Sequence, residues 1–67
     1  MIYEIHEQGF AFMYVEAASG EEALARAVAK RSPKSCDYNG YVGPVTWSAY
    51  AEDQDYPEST LEVEVTP

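Results

Sequence analysis

The chain has 67 residues, of which twelve are acidic and four basic, so its formal net charge at pH 7 is −8. A domain of this length buries only about 60% of its unfolded surface, which excludes a deep active-site cleft. We find no basic and apolar leader and no apolar run of membrane-spanning length, so we expect one soluble, cytoplasmic domain over residues 1–67. The one cysteine, Cys36, excludes an internal disulfide.

Two alternating segments open the chain. Residues 2–7 read as a half-buried strand with Tyr3 and Ile5 on its inner face. Gln8-Gly9 then forms a tight turn into a second strand over residues 10–17. Its small side chains, starting with Ala11, are expected to face a helix. The opposite side would be an aromatic face, formed by Phe10, Phe12 and Tyr14.

The segment from Ser19 to Ser32 predicts the only α-helix. Ser19 and Glu22 have the spacing of a capping box, in which each side chain accepts from the backbone of the other residue. Alanine, leucine and arginine give the interior a high helix propensity, and Pro33 ends it. The apolar stripe consists mainly of small side chains, which lets the helix lie close to a sheet: Ala23, Leu24, Ala27 and Val28.

A loop and a third strand are predicted after the helix. Residues 32–44 are rich in proline, glycine, asparagine and serine, and Asn39-Gly40 is typical of a small turn. Residues 45–51 alternate again, with Trp47 on the inner side. We expect this tryptophan to be the largest contributor to the core.

The last part of the chain predicts an acidic loop followed by a fourth strand. The loop covers residues 52–59, and the strand covers residues 60–66. Alternation places Glu62 and Glu64 on the outer side of this strand. Its inner side is apolar and consists of Leu61, Val63 and Val65.

The element order β-β-α-β-β indicates an α+β fold. We expect a four-stranded antiparallel sheet in the order 2-1-3-4, with the helix packed on one face. In the alternative, the second and third strands pair in parallel through a right-handed crossover. The sequence leaves both arrangements open.

Catalytic and metal-binding patterns are absent from the sequence. His6 could serve as a base and Cys36 as a nucleophile, but the two do not have the sequence spacing of a known catalytic motif. We therefore expect His6 to be an outward-facing strand residue and Cys36 to be a small loop residue. Asp53 and Glu64 have the spacing of a calcium loop, yet Glu58 occupies the position of the required glycine. We therefore expect no enzyme, no cofactor and no specific metal site.

The distribution of charge is the strongest functional signal. All four basic residues fall in the second half of the helix or just after it, so the strands and loops carry negative charge alone. Binding of nucleic acid to the aromatic face is disfavoured, because such affinity comes largely from lysine and arginine. A surface of this kind suits a partner that itself binds nucleic acid. The predicted partner-binding residues are Glu52, Asp53, Asp55, Glu58, Glu62 and Glu64.

The run YVEAASGEEALARAVAK, from Tyr14 to Lys30, resembles a strand-to-helix pattern of very small bacteriophage and mobile-element proteins. Size, acidity and the absence of catalytic motifs look most like type I anti-CRISPR proteins, some of which imitate DNA. The resemblance implies an inhibitor in the bacterial host cytoplasm that occupies a DNA-binding surface of a CRISPR–Cas effector subunit.

A second functional class stays open at this point. The aromatic face, extended by Tyr50, could join two copies of the chain in a structural or assembly module of a phage or mobile element. The acidic residues would then mainly maintain solubility. A monomer favours the inhibitor, and a tight homodimer favours the assembly module.

Overall fold

The computed structural model describes residues 1–67 and confirms the α+β class and the β-β-α-β-β order. A short 3-10 helix at Ser35–Tyr38, which the sequence did not predict, follows the α-helix. The bounds of the other elements agree with the predicted ones to within two residues. The elements are β1 Ile2–Glu7, β2 Phe10–Glu16, α1 Gly20–Lys30, β3 Gly43–Ala51 and β4 Ser59–Val65.

The four strands form one antiparallel sheet in the order β2-β1-β3-β4. Because β3 pairs with β1 and β4 and not with β2, the parallel crossover alternative is wrong. α1 lies on one face and contacts all four strands. We call this side of the sheet the inner face and the opposite side the outer face. No helix of the structure has the length and apolar character needed to cross a membrane.

The start of α1 uses the predicted capping residues with one difference. The Ser19 hydroxyl accepts a hydrogen bond from the Glu22 backbone N–H at 3.2 Å. The Glu22 carboxylate returns to the backbone N–H of Ala18 at 3.0 Å, one residue before the predicted donor. At the other end, the Arg31 N–H closes the last turn on the Ala27 carbonyl. Each end of the helix therefore has a local hydrogen bond to one of its terminal backbone groups.

The core lies between α1 and the inner face. Trp47 is 1% exposed, which confirms the prediction that it faces the core. Small helix side chains allow α1 to approach the sheet closely, so that the bulk of the core comes from the strands. The largest fully buried side chains are Trp47, Tyr3, Ile5 and Val65, and the buried helix residues are Gly20, Ala23, Leu24 and Ala27.

A bulge in β2 changes which side chains face the helix. Ile5 pairs with Met13, but the next residue, His6, pairs with Ala11, so Phe12 is an extra residue in β2. Because paired residues share a face, Ala11 lies on the outer face beside His6. The prediction that Ala11 faces the helix is wrong.

The same bulge overturns the predicted aromatic face. Phe10 pairs with Glu7, which also pairs with the inward Trp47, so Phe10 belongs to the inner side. The Phe12 ring meets the Trp47 ring at a centroid distance of 4.8 Å. Of the four aromatic residues predicted for the outer face, Tyr14 and Tyr50 remain there, each paired with Glu4.

The loop after the 3-10 helix contains the predicted turn. Asn39 and Gly40 both have positive φ, 55° and 87°, a backbone conformation that these two residue types tolerate best. The Tyr41 N–H closes the turn on the Tyr38 carbonyl at 3.0 Å. The turn positions the Tyr38 ring next to the sheet, where its hydroxyl reaches Glu7.

Candidate functional site

The two layers of the fold differ in charge. All four lysine and arginine residues lie in α1 or within four residues after it. The strand pairings place four acidic residues and no lysine or arginine on the outer face: Glu4, Glu16, Glu62 and Glu64. Lys34, which bridges to Thr66 just beyond the end of β4, is a basic residue at the edge of this face. A partner approaching the outer face therefore meets mainly negative charge.

Glu62 and Glu64 lie on β4, an edge strand of the sheet. They pair with Thr46 and Pro44 of β3 and are exposed on the outer face. Two strand rises separate them, about 6.8 Å. Neither glutamate takes part in any of the three ion pairs of the protein. Neither side chain forms a hydrogen bond within the protein.

The acidic loop between β3 and β4 continues this charge. Glu52, Asp53 and Asp55 are exposed and have no ion-pair partner. A turn closed by the Gln54 N–H on the Ala51 carbonyl, at 3.2 Å, holds the start of the loop. The two outer glutamates of β4 pair with Thr46 and Pro44, farther along the hairpin from this loop. We call the loop acids and these two glutamates together the acidic hairpin surface: Glu52, Asp53, Asp55, Glu62 and Glu64.

The sixth predicted residue, Glu58, is occupied within the fold. Its carboxylate accepts from the Tyr3 hydroxyl at 3.1 Å and from the Gly20 backbone N–H at the start of α1. A Cβ on Gly20 would lie 2.9 Å from this carboxylate, so glycine allows the close approach. Burial raises the pKa of Tyr3 above 10.0, and the bond to Glu58 raises it further. Glu58 thus stabilises the helix start from the inner side, away from the outer glutamates.

A polar and aromatic cluster occupies the middle of the outer face. His6 Nε2 lies 2.9 Å from the Glu4 carboxylate. The imidazole ring also stacks on the Tyr50 ring at a centroid distance of 4.2 Å. The candidate nucleophile from the sequence, Cys36, is exposed in the 3-10 helix. No three histidine, cysteine, aspartate or glutamate side chains come together in a way that could hold a metal ion.

A cleft of about 300 Å³ opens on the inner side, between the β1–β2 turn, the end of α1 and the 3-10 helix. Four aromatic side chains line it: Phe10, Phe12, Tyr38 and Trp47. Charged groups come from Glu7, Arg31 and Asp37, with Arg31 and Asp37 4.0 Å apart. Aromatic and charged side chains therefore meet in one concave site.

Glu7 anchors the wall of this cleft. Its Oε1 atom accepts hydrogen bonds from the Trp47 indole N–H at 3.0 Å and from the Tyr38 hydroxyl. Burial raises the pKa of Tyr38 above 10.0, and the bond to Glu7 adds to the rise. The sequence interpretation missed this site. One signal could have found it, because Glu7 has the same alternation parity as the inward Tyr3 and Ile5.

No protein-family model, curated protein or solved structure matches the chain.

Proposed function

We propose that the protein binds a basic, nucleic-acid-binding surface of a partner protein and keeps nucleic acid away from it. The observation that carries the proposal is the acidic hairpin surface, which presents five exposed acids. Lys34 lines a groove with Glu62 and Glu64, and no lysine or arginine follows it in the chain, so the five acids outnumber the basic groups near them.

The geometry of β4 supports this proposal. Glu62 and Glu64 project from one face about 6.8 Å apart, which equals two phosphate steps along one strand of B-DNA at about 3.4 Å each. The loop acids extend the negative charge beyond the end of the strand. A basic groove that binds phosphates can therefore be met by carboxylates at a similar spacing.

The acids would act mainly on the rate of association. Opposite charges on two proteins attract before contact, over a screening length of about 8 Å at physiological ionic strength. Such attraction raises the association rate and weakens as salt is added. Residues 14–30 resemble a pattern of small phage and mobile-element proteins, and among these the size and acidity of the chain look most like type I anti-CRISPR proteins. A DNA-binding subunit of a type I CRISPR surveillance complex is therefore the first partner to test.

The homodimer alternative has lost its main support. Its interface required Phe10 and Phe12 on the outer face, and the bulge in β2 turns both to the inner side. Tyr14 and Tyr50 alone, separated by Glu4 in the pairing, form a smaller and more polar patch. A monomer carrying an acidic binding surface is therefore the state we propose.

Charge reversal tests the proposal. The double variants Asp53→Lys with Asp55→Lys, and Glu62→Lys with Glu64→Lys, should each slow association with the purified complex by roughly tenfold at low salt, with a smaller loss at high salt. Folding should change little, because exposed charges contribute little to stability. The measurement is the association rate at several salt concentrations.

A matched control separates local charge from net charge. Glu16→Lys with Glu21→Lys changes the net charge equally, at two exposed acids that lie outside the acidic hairpin surface and outside the cleft. This variant should associate nearly as fast as the wild type. If the hairpin variants also bind at wild-type rates at physiological salt, the acidic hairpin surface is not the binding surface.

A further inference from the structure

We infer that the cleft lined by Phe10, Phe12, Trp47 and Glu7 is a binding site for an arginine side chain of a partner protein. The inference stands apart from the acidic hairpin surface. Glu7 and the β1–β2 turn lie at one end of β1, whereas Tyr3, next to the acidic loop, lies near the other end. Glu62 and Glu64 are on the opposite face of the sheet.

The aromatic wall of the cleft exposes apolar surface that the fold does not use. Phe10 is 77% exposed and Phe12 is 37% exposed. Phe12 is fixed by its edge contact with Trp47, at an interplanar angle of 62°. Neighbouring apolar rings that remain accessible in a highly charged protein are typical of an interaction site.

The acidic wall has an unused acceptor. Both hydrogen bonds to Glu7 go to Oε1, and Oε2 accepts none within the protein. No buried side-chain oxygen lacks a hydrogen-bond partner, so this second oxygen is accessible to solvent. None of the three ion pairs involves Glu7. Arg31 lines the same cleft, with its guanidinium 4.0 Å from the Asp37 carboxylate. An accessible carboxylate oxygen that takes part in no ion pair is therefore next to exposed aromatic rings.

The aromatic and acidic side chains that line the cleft determine which kind of ligand fits it. An apolar side chain would cover the rings but would remove the Glu7 oxygen from water without replacing its hydrogen bonds. An anion would meet the carboxylates of Glu7 and Asp37. A guanidinium group stacks on aromatic rings, can donate a charge-assisted hydrogen bond to the free Oε2 of Glu7, and carries an aliphatic stem that covers apolar surface. Lysine lacks the planar group, so we expect arginine to bind more tightly.

The single tryptophan gives a direct readout of this site. Trp47 donates its indole N–H to Glu7, so its indole NMR signal should shift when a guanidinium binds Oε2. The probe is a blocked tripeptide with a central arginine, added up to about 50 mM, above the millimolar affinity expected for one side chain. The matched probe carries citrulline, which has nearly the same shape and no charge.

Variants locate the binding. Phe10→Ala should weaken arginine binding roughly fivefold through loss of the stacking ring. Glu7→Gln, which keeps a hydrogen-bond acceptor for Trp47, should weaken it by a similar factor. The matched control is Tyr14→Ala, which removes an aromatic ring that is 63% exposed on the outer face and should leave the titration unchanged.

The expected result is a saturable shift with arginine, a smaller shift with lysine and none with citrulline. Glu62→Lys with Glu64→Lys should titrate like the wild type, which keeps this site distinct from the acidic hairpin surface. The inference is wrong if arginine and citrulline shift the indole signal equally, if neither does, or if Phe10→Ala binds arginine like the wild type.

Discussion

Replacing Glu7 by alanine should destabilise this protein more than removing any other exposed or half-buried acid of β1 or β2. Glu7 is the acceptor for the indole N–H of Trp47, which is 1% exposed, and for the Tyr38 hydroxyl. After Glu7→Ala the indole N–H has no acceptor and little access to water. Tyr38 is half-buried, and its hydroxyl can turn to solvent, so the loss of its hydrogen bond to Glu7 should cost less.

The magnitude follows from these two donors. A buried donor left without a partner costs about 1–3 kcal/mol. With a smaller loss at Tyr38, we expect Glu7→Ala to lower the free energy of unfolding by about 2–3 kcal/mol. For a domain of this size each kcal/mol corresponds to roughly 4–8 °C in Tm. The Tm should therefore fall by roughly 8–24 °C.

Two further variants make the measurement specific. Glu7→Gln keeps a neutral acceptor, and since charged hydrogen bonds are about twice as strong as neutral ones, it should cost about 1 kcal/mol. Glu16→Ala removes an exposed acid of β2 that has no hydrogen bond or ion pair, and it should change stability by less than about 0.5 kcal/mol. Thermal and urea unfolding followed by circular dichroism gives all three values. If Glu7→Ala is no more destabilising than Glu16→Ala, the hydrogen bonds of Glu7 do not stabilise the fold as argued.

Two other predictions test the helix start and the buried tyrosines. Ser19→Ala should cost about 1 kcal/mol of stability, because the Glu22 N–H loses its acceptor, and an unchanged Tm would contradict the cap. Tyr3 and Tyr38 have pKa values raised above 10.0 in the folded protein, so the stability they contribute is present below pH 10 and should be lost as the pH rises above it. Phenolate absorbance should show that Tyr3→Phe and Tyr38→Phe each remove a titration that the wild type shows above pH 10, and loss of a titration at or below pH 10 instead would contradict the burial of these rings.

Local patterns were sufficient to predict most of the fold. Ser19, Glu22 and Pro33 mark the helix through contacts within four residues, and the alternation around Trp47 and Val63 fixes the inner faces of β3 and β4. The strand directions followed from the way the helix returns the chain, and the observed order is the favoured one of the two arrangements that the sequence left open. These features depend on spacing along the chain, which a sequence displays directly.

The bulge in β2 had no such signal. Strand register is read from the alternation of polar and apolar residues. Residues 10–13, Phe-Ala-Phe-Met, are all apolar, so an inserted residue leaves apolar side chains on both faces and the pattern does not reveal it. The cleft wall formed by Phe10 and Phe12 could therefore not be predicted.

The role of Glu58 was hidden for a different reason. Its partners Tyr3 and Gly20 are 55 and 38 residues away in sequence. In the sequence it looks like one more acid of the loop, and nothing local distinguishes it from Asp53 or Asp55. Contacts of this range become visible only when the sheet order and the position of the helix are known.

Competition with nucleic acid tests the proposed function most directly. A labelled DNA duplex is bound to the purified type I surveillance complex, and its fluorescence anisotropy is followed as the protein is added. We predict that the wild type releases the duplex and returns the anisotropy to that of free DNA, while Glu62→Lys with Glu64→Lys requires a higher concentration. Partners captured from a host lysate and identified by mass spectrometry can take the place of this complex. A partner that binds the protein tightly and still holds its DNA would contradict the account.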